Sequence, residues 1–486
     1  MRTSTLIDFQ SETPTLAPKH SWPLTLGWVG TGAALFILWT HSEIWLLAGA
    51  LLYLAWKGFV NGYTQKGKAY AYAAQIQTAL KYLSLAHKLN PWYSPCLLAL
   101  AHLYADQGNW PKAKDHYQRV LQQVSNQIEA WNGLGFCYLA EEKYQEAGHA
   151  FQKAYQIRRG DPKQQGAAEI DWEQSQSLPR FNRLKLNHEE EQLHYLLEQQ
   201  HLPESFTTQW LHLRNWLTKL EADPTAPVFV QLTPEDPLLK NWGHNLHLYL
   251  PPRQSSPCLK VQNWQSLSQN FQANQQIWWD DFLSPASLAE LQRFCWESTF
   301  WHDGSRQAGY LASTVDDGFQ CPLLFQIADE LRHRFPELLK AYPLVYLWAF
   351  KCDSRGQGVA LHNDSASINL NFWITPDSAN LNPETGGLLI YPQEPPQEWD
   401  FETLRMDQAG IETWLKAHPQ EPVRIPYRCN RAVLFKSRLF HTSDEIQFQS
   451  GYLNRRINIT LLFGQKGLGY YPRPKVIPVC SSISGI

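Results

Sequence analysis

His362-Asn363-Asp364, followed by His441 and then Arg456, brings together residue types that do metal chemistry. A His and an Asp one residue apart at a strand end point into the same mouth. His441 comes directly after the strand-like run AVLFKSRLF of residues 432–440. Two histidines and one carboxylate make a facial triad, which covers one face of an octahedral Fe(II) and leaves positions for a bidentate keto acid and dioxygen. Arg456 offers a planar fork for the far carboxylate of 2-oxoglutarate. Asn458, two residues on, faces the same side of a strand and is placed to support it. A lone His-x-Asp is weak, and His41-Ser42-Glu43 is a chance match of that kind. Four residues in this order, each attached to a strand, are far more specific.

These groups must be positioned by sheet. Short apolar or alternating runs lie at 344–350 (LVYLWAF), 367–375 (SINLNFWIT), 386–392 (GGLLIYP), 431–436 (RAVLFK) and 456–464 (RINITLLFG). They follow two helices, one opened by Ser284-Pro285 as cap and first turn and one over about 322–334. Many short strands after helices predict an antiparallel double-sheet jelly roll. The choice of Arg456 over Arg455 rests on strand phase: Ile457, Ile459 and Leu461 must face away from Asn458 and Thr460, and a slip of one residue would put Arg455 in its place. Asn369 and Asn371 share a strand face and suit the keto acid or a substrate, though simple strand polarity explains them equally. Arg424, Arg428, Arg431, Lys436 and Arg438 read as a solvated basic face in preference to an anion-binding one. The long insertion over 393–422 is placed to act as a lid. Trp301, His302 and Tyr310 border the site or pack the core.

Residues 277–466 resemble the iron(II)- and 2-oxoglutarate-dependent dioxygenase superfamily, in particular its prolyl hydroxylase-like branch. The resemblance implies that His362, Asp364 and His441 hold Fe(II) and that Arg456 binds 2-oxoglutarate; Asn458, Asn369 and Asn371 are the further cofactor-binding candidates from strand facing. It implies use of O2, conversion of 2-oxoglutarate to succinate and CO2, and hydroxylation as the usual outcome. The halogenase variant, which frees the carboxylate position for a halide, is disfavoured because Asp364 is present. The added DEIQFQSGYLN stretch between His441 and Arg456 is a departure from the pattern and is what leaves Arg455 as the alternative.

Upstream, Leu97, Leu100, Ala101, Tyr104, Ala113, Tyr117 and Val120 recur after ~34 residues as Trp131, Leu134, Gly135, Tyr138, Ala147, Phe151 and Ala154. One step back gives Gly67, Tyr70, Ala79, Leu83 and Ala86. This spacing resembles the tetratricopeptide repeat, which implies a helical solenoid over residues 61–160 and a protein or peptide partner. Small residues at the repeated positions let paired helices approach closely. Glu191 and His194 have the spacing of one di-iron carboxylate pair but lack a second, and His188 and His194 are too far apart for a helical HExxH zinc pair.

Two apolar runs, 22–40 and 44–60, flank the polar turn His41-Ser42-Glu43. The first is about long enough to cross a bilayer's hydrocarbon core and the second is short, with a lysine at its end able to snorkel; a buried helical hairpin packed on the next domain is the alternative. Arg2, Lys19, Lys57, Lys66 and Lys68 flank the outer ends, which predicts a transmembrane hairpin with both termini in the cytoplasm. The 486 residues carry 42 Lys+Arg against 45 Asp+Glu, a net charge of −3, which offers nothing to nucleic acid. The eight cysteines form no CxxC pair and fit a reducing compartment.

The expected architecture is multidomain α plus β: a cytoplasmic tail (1–21), a membrane hairpin (22–60), the repeat solenoid (61–160), a helical and proline-rich linker (161–276), and a double-stranded β-helix with flanking helices (277–486). The expected function is a dioxygenase of the bacterial cytoplasmic membrane, anchored in the lipid bilayer, facing the cytoplasm and hydroxylating a polypeptide held by the repeats. The alternatives are an oxygenase acting on a small molecule, and a non-catalytic membrane scaffold with a metal-free jelly roll.

Overall fold

The computed structural model describes residues 45–162, 180–222, 229–231, 243–303, 309–354, 356, 358–396, 399 and 408–464. The chain divides into two compact units, one ending at Ser125 and the other beginning at Asn126.

The first unit pairs helix α1 (Trp45–Tyr72) with α2 (Ile76–Leu89), and α3 (Ser94–Asp106) with α4 (Trp110–Gln123). The period of small residues explains the close pairing. A Cβ on Gly67 would stand 2.6 Å from Leu83 Cγ, and Ala79, Leu83, Ala86 and Leu100 form the core between the hairpins. Asn109 caps α4, its side chain accepting from the Lys112 amide at 3.4 Å.

Residues 45–60 do not form a membrane-spanning helix of the expected hairpin. The apolar run 44–60 supplies the N-terminal part of α1, which continues without a break through Lys66 and Lys68. Ala55, Val60 and Thr64 along it are buried, and Trp56 Nε1 donates to Leu89 O at 3.1 Å. Ala48, Ala55 and Val60 of the run are buried, whereas Leu47, Tyr53 and Leu54 are exposed, so packing accounts for only part of its apolar character. No helix among the described residues is long and apolar enough to cross a membrane. The expected bilayer anchor, and the membrane location built on it, are withdrawn. The other run, 22–40, and the turn at 41–43 lie outside the described residues.

The second unit opens with the helical hairpin α5 (Ile128–Ala140) and α6 (Tyr144–Arg159). Gly135 lies against the Phe151 ring, where a Cβ would come within 2.6 Å. Strand β1 (Arg180–Asn182) leads into α7 (Arg183–Glu198) and α8 (Thr207–Ala222), then β2 (Phe229–Gln231), which pairs with β1. After an extended stretch come α9 (Trp264–Asn274), β3 (Gln276–Trp279), α10 (Pro285–Glu297), β4 (Tyr310–Thr314), α11 (Pro322–Arg334) and the short α12 (Pro336–Leu339). Ser284 caps α10 by accepting from the Ser287 amide.

The remaining elements are β5 (Leu344–Cys352), β6 (Ile368–Trp373), β7 (Leu388–Ile390), α13 (Gln408–Ala417), β8 (Val423–Ile425), β9 (Ala432–Lys436), β10 (His441–Ser443) and β11 (Arg456–Phe463). Among the described residues six strands form one antiparallel sheet in the order β3-β9-β6-β11-β5-β4, and three form a second, β10-β7-β8. The core between them joins Trp373, Val433 and Phe435 of the large sheet to Leu388, Ile390 and Ile425 of the small one. Strand β11 lies between β6 and β5 and is buried along its whole length. Its polar residues are therefore held inside the sandwich.

Candidate metal centre

His362 and His441 meet across an isolated antiparallel bridge: the His362 amide donates to His441 O at 3.0 Å and the His441 amide to His362 O at 2.8 Å. Their ring centroids are 4.2 Å apart. Each ring is oriented from behind in the same way, by the carbonyl two residues earlier. His362 Nδ1 lies 2.7 Å from Ala360 O and His441 Nδ1 3.1 Å from Leu439 O. A carbonyl only accepts, so Nδ1 carries the proton in both rings and each Nε2 keeps its lone pair.

Those lone pairs converge on Asp364. His362 Nε2 is 3.8 Å from Asp364 Oδ1, and His441 Nε2 is 3.5 Å from Asp364 Oδ2. One donor atom from each of the three residues lies within 4.8 Å of the others. Asn369 Nδ2 donates to Asp364 Oδ2, and the Ser437 hydroxyl donates to Asn369 Oδ1 at 2.6 Å. Burial by itself would raise the Asp364 carboxyl, but the two rings in their protonated form, by hydrogen bonding from His441 and by the charges of His362 and His441, together with the Asn369 amide, outweigh it and hold it at about 2. The group is a carboxylate at neutral pH. Two imidazole nitrogens and one carboxylate oxygen on one side of a cavity fit a divalent transition ion.

The cavity is lined by Asp364, His362, His441 and, from β11, Arg456, Asn458 and Thr460. Arg456 is 1% exposed. Its Nε donates to Gly386 O at 2.6 Å and its Nη2 to Gly387 O at 3.2 Å, so the guanidinium is fixed in the wall. Gly387 permits this by letting the backbones touch: a Cβ there would sit 1.9 Å from Ile425 O. Asn371 also lines the cavity, and the Oδ1 atoms of Asn371 and Asn458 are buried without a hydrogen-bond partner. Such orphans are costly unless something fills the space beside them.

The structure thus brings His362, Asp364, His441, Arg456, Asn458 and Asn371 to one cavity. Asn369 stands behind it, bonded to Asp364. Arg455 points to the opposite side of the sheet, where Nε donates to Glu191 Oε2 at 2.7 Å. His194 stacks on Trp210 with centroids 4.6 Å apart. The cations are tied to carboxylates: Arg428 and Arg431 to Asp280, Arg424 to Asp444, and Lys436 and Arg438 to Glu394. Trp301 is fully buried, and His302 bonds the Tyr155 hydroxyl at 3.0 Å, neither of them on the cavity wall. Tyr310 packs on Phe350 in the core between the sheets. Within the insertion, Ile411, Trp414 and Leu415 of α13 pack with Leu361, Tyr391 and Phe440. Sequence reasoning missed Trp348 and Phe350, which line the cavity from β5; the period of two in LVYLWAF carried that signal. It also missed Ser437, which had none.

Residues 93–160 match the tetratricopeptide repeat family. That segment is a tetratricopeptide repeat. Two transcriptional corepressors align with the chain: ssn6 of Schizosaccharomyces pombe, 33% identical over 86 residues, and trfA of Dictyostelium discoideum, 27% over 114. These matches take in 18% and 24% of this chain, and the chain spans only 8% and 7% of the two corepressors. Among solved structures, the chain is similar to the non-heme alpha ketoglutarate dependent epimerase SnoN from nogalamycin biosynthesis, at 14% identity and a TM-score of 0.31, over 42% of this chain and 83% of that one. A prolyl-4-hydroxylase of Pseudomonas putida is 13% identical with a TM-score of 0.29, over 42% and 99%. HygX of Streptomyces hygroscopicus, solved with nickel and 2-oxoglutarate, is 12% identical with a TM-score of 0.31, over 42% and 87%. At these identities and scores the likeness by itself decides nothing about chemistry.

Proposed function

We propose that the chain is an Fe(II)- and 2-oxoglutarate-dependent dioxygenase of the hydroxylase type, and that the repeats recruit its polypeptide substrate. The observation that carries the reading is one cavity holding the converging His362, Asp364 and His441 donors together with the buried Arg456 guanidinium. In this reading His362 and His441 each offer Nε2, and Asp364 offers Oδ1, its Oδ2 being held by Asn369. Arg456 takes the far carboxylate of 2-oxoglutarate by charge-assisted hydrogen bonds. Asn371 and Asn458 face the same space with buried polar groups that the keto acid or substrate satisfies. Trp348, Phe350 and Leu388 keep bulk water from the rest of the wall. When bound, Fe(II) with 2-oxoglutarate and O2 supplies the oxidising power: the keto acid becomes succinate and CO2, and the second oxygen atom enters a substrate C–H bond. The polypeptide part of the proposal draws on the repeat match over 93–160.

The test uses the full chain, free of oxygen, titrated with Fe(II) and then 2-oxoglutarate. A weak visible charge-transfer band is expected in the wild type and is lost in His362→Ala. A folded wild-type chain that takes up neither Fe(II) nor the keto acid overturns the reading and leaves a repeat scaffold with a metal-free jelly roll.

A further inference from the structure

A second group of metal-binding side chains lies apart from the cavity. His201 follows α7, its amide donating to Leu196 O at 2.8 Å. His247 belongs to the extended stretch before α9 and is tied to one residue from both sides: the Thr299 amide donates to His247 O at 2.9 Å, and the His247 amide donates to Thr299 Oγ1 at 3.2 Å. Glu297 ends α10. Three segments far apart in sequence are thus each held by the main chain or by a helix end, and they place one donor atom apiece within 4.8 Å of the others.

The two imidazoles stack, with centroids 4.7 Å apart and planes at 17°. His201 Nε2 is 3.5 Å from Glu297 Oε2. Arg293 reaches both carboxylate oxygens: Nε donates to Glu297 Oε1 at 3.0 Å and Nη2 to Oε2 at 3.4 Å, while the guanidinium lies over the Tyr249 ring at 4.0 Å. Arg293 therefore orients the carboxylate, as outer partners of metal-bound carboxylates do. The Glu297 side chain is 7% exposed and that of His201 29%, so the carboxylate is shielded and the site stays open on the His201 side.

We propose that His201, His247 and Glu297 bind a divalent transition ion, with Zn(II) the best match, at a site separate from the His362–Asp364–His441 centre. Two imidazole nitrogens and one carboxylate oxygen suit Zn(II) with water completing the tetrahedron. Ca(II) and Mg(II), which need more oxygen donors, do not fit. The ion fastens the turn after α7 and the stretch around His247 to the end of α10. The proposal does not depend on the oxygenase reading.

The experiment strips the full chain with chelator, equilibrates it with Zn(II) alone and measures bound zinc per chain by elemental analysis. The wild type is expected to hold one more equivalent than His201→Phe, which keeps an aromatic ring stacked on His247 but cannot ligate. Glu297→Gln is expected to show the same loss. His201→Phe combined with His362→Ala is expected to lose one equivalent more than His362→Ala alone, which separates the two centres. A folded His201→Phe that retains as much zinc as the wild type, with Glu297→Gln also unchanged, overturns the site. Thermal melting with and without zinc is the second readout: a zinc-dependent rise in midpoint that survives both substitutions in the His362→Ala background also overturns it.

Discussion

His362 and His441 are bonded to each other through their main chains before any ion is considered, each amide resting on the other's carbonyl at 3.0 and 2.8 Å. The distance between the two rings is set by strand pairing, and their orientation by the carbonyls of Ala360 and Leu439. The centre is preorganised at the level of the backbone, and side-chain substitutions around it should tune affinity without dispersing the ligands.

Asn369→Leu tests the support behind Asp364. It removes the amide that holds Oδ2 and leaves the Ser437 hydroxyl without its acceptor. Fe(II) affinity is expected to fall about 10- to 100-fold with the fold intact, measured by anaerobic titration beside circular dichroism. An unchanged affinity removes Asn369 from any supporting role.

The adjacent arginines should separate cleanly. Arg456→Ala is expected to weaken 2-oxoglutarate binding by about 10- to 100-fold and to leave metal uptake in place. Arg455→Ala is expected to leave keto-acid binding unchanged but to cost about 2 kcal/mol of stability, because Glu191 loses its partner. Binding isotherms and urea midpoints on both variants check the pair; a reversed pattern assigns the keto acid to Arg455.

Acid sensitivity should trace in part to Asp317. Burial opposes ionisation there, but Arg159, which donates from Nε at 3.0 Å and Nη2 at 2.6 Å, overrides it and lowers the carboxyl. A lowered folded-state value means that the stabilisation is fully present above the unfolded carboxylate range, near ~4, and is lost as pH falls through the folded value. Urea midpoints measured from about pH 6 down to about pH 3 should fall less steeply for Asp317→Asn than for the wild type.

Gly135→Ala probes the repeat packing. Helix propensity alone favours alanine by about 1 kcal/mol. Overpacking should win, at about 1–3 kcal/mol, because the added Cβ meets the Phe151 ring at 2.6 Å and that ring is set edge-on against Phe136, 5.0 Å away. The thermal midpoint should drop, and Phe151→Leu in the same chain should recover part of the loss.

Much of this centre was legible in the sequence because it is written in strand period. Arg456, Asn458 and Thr460 alternate with Ile457, Ile459 and Leu461, and β11 obeys that alternation. The repeat was legible because Gly67, Gly135 and the buried alanines mark helix contacts at a fixed spacing. The run at 44–60 misled because its apolar residues are only partly packed: Ala48, Ala55 and Val60 are buried while Leu47, Tyr53 and Leu54 are exposed, and local hydropathy does not show that α1 continues through Lys66 and Lys68. Ser437 was invisible for a different reason. Its bond to Asn369 spans two strands, and nothing local in the chain announces such a contact.

The packing of α13 has a mechanical consequence. Leu361 and Phe440, which both meet the hydrophobic cluster around Ile411, are the residues immediately before the two histidines. Leverage on that helix is therefore delivered to both imidazoles at once. Because the bridge ties their backbones, the rings should travel as a yoked pair, and a molecule pressing on the insertion from outside would shift the whole donor set against Asp364 without prising one histidine from the other.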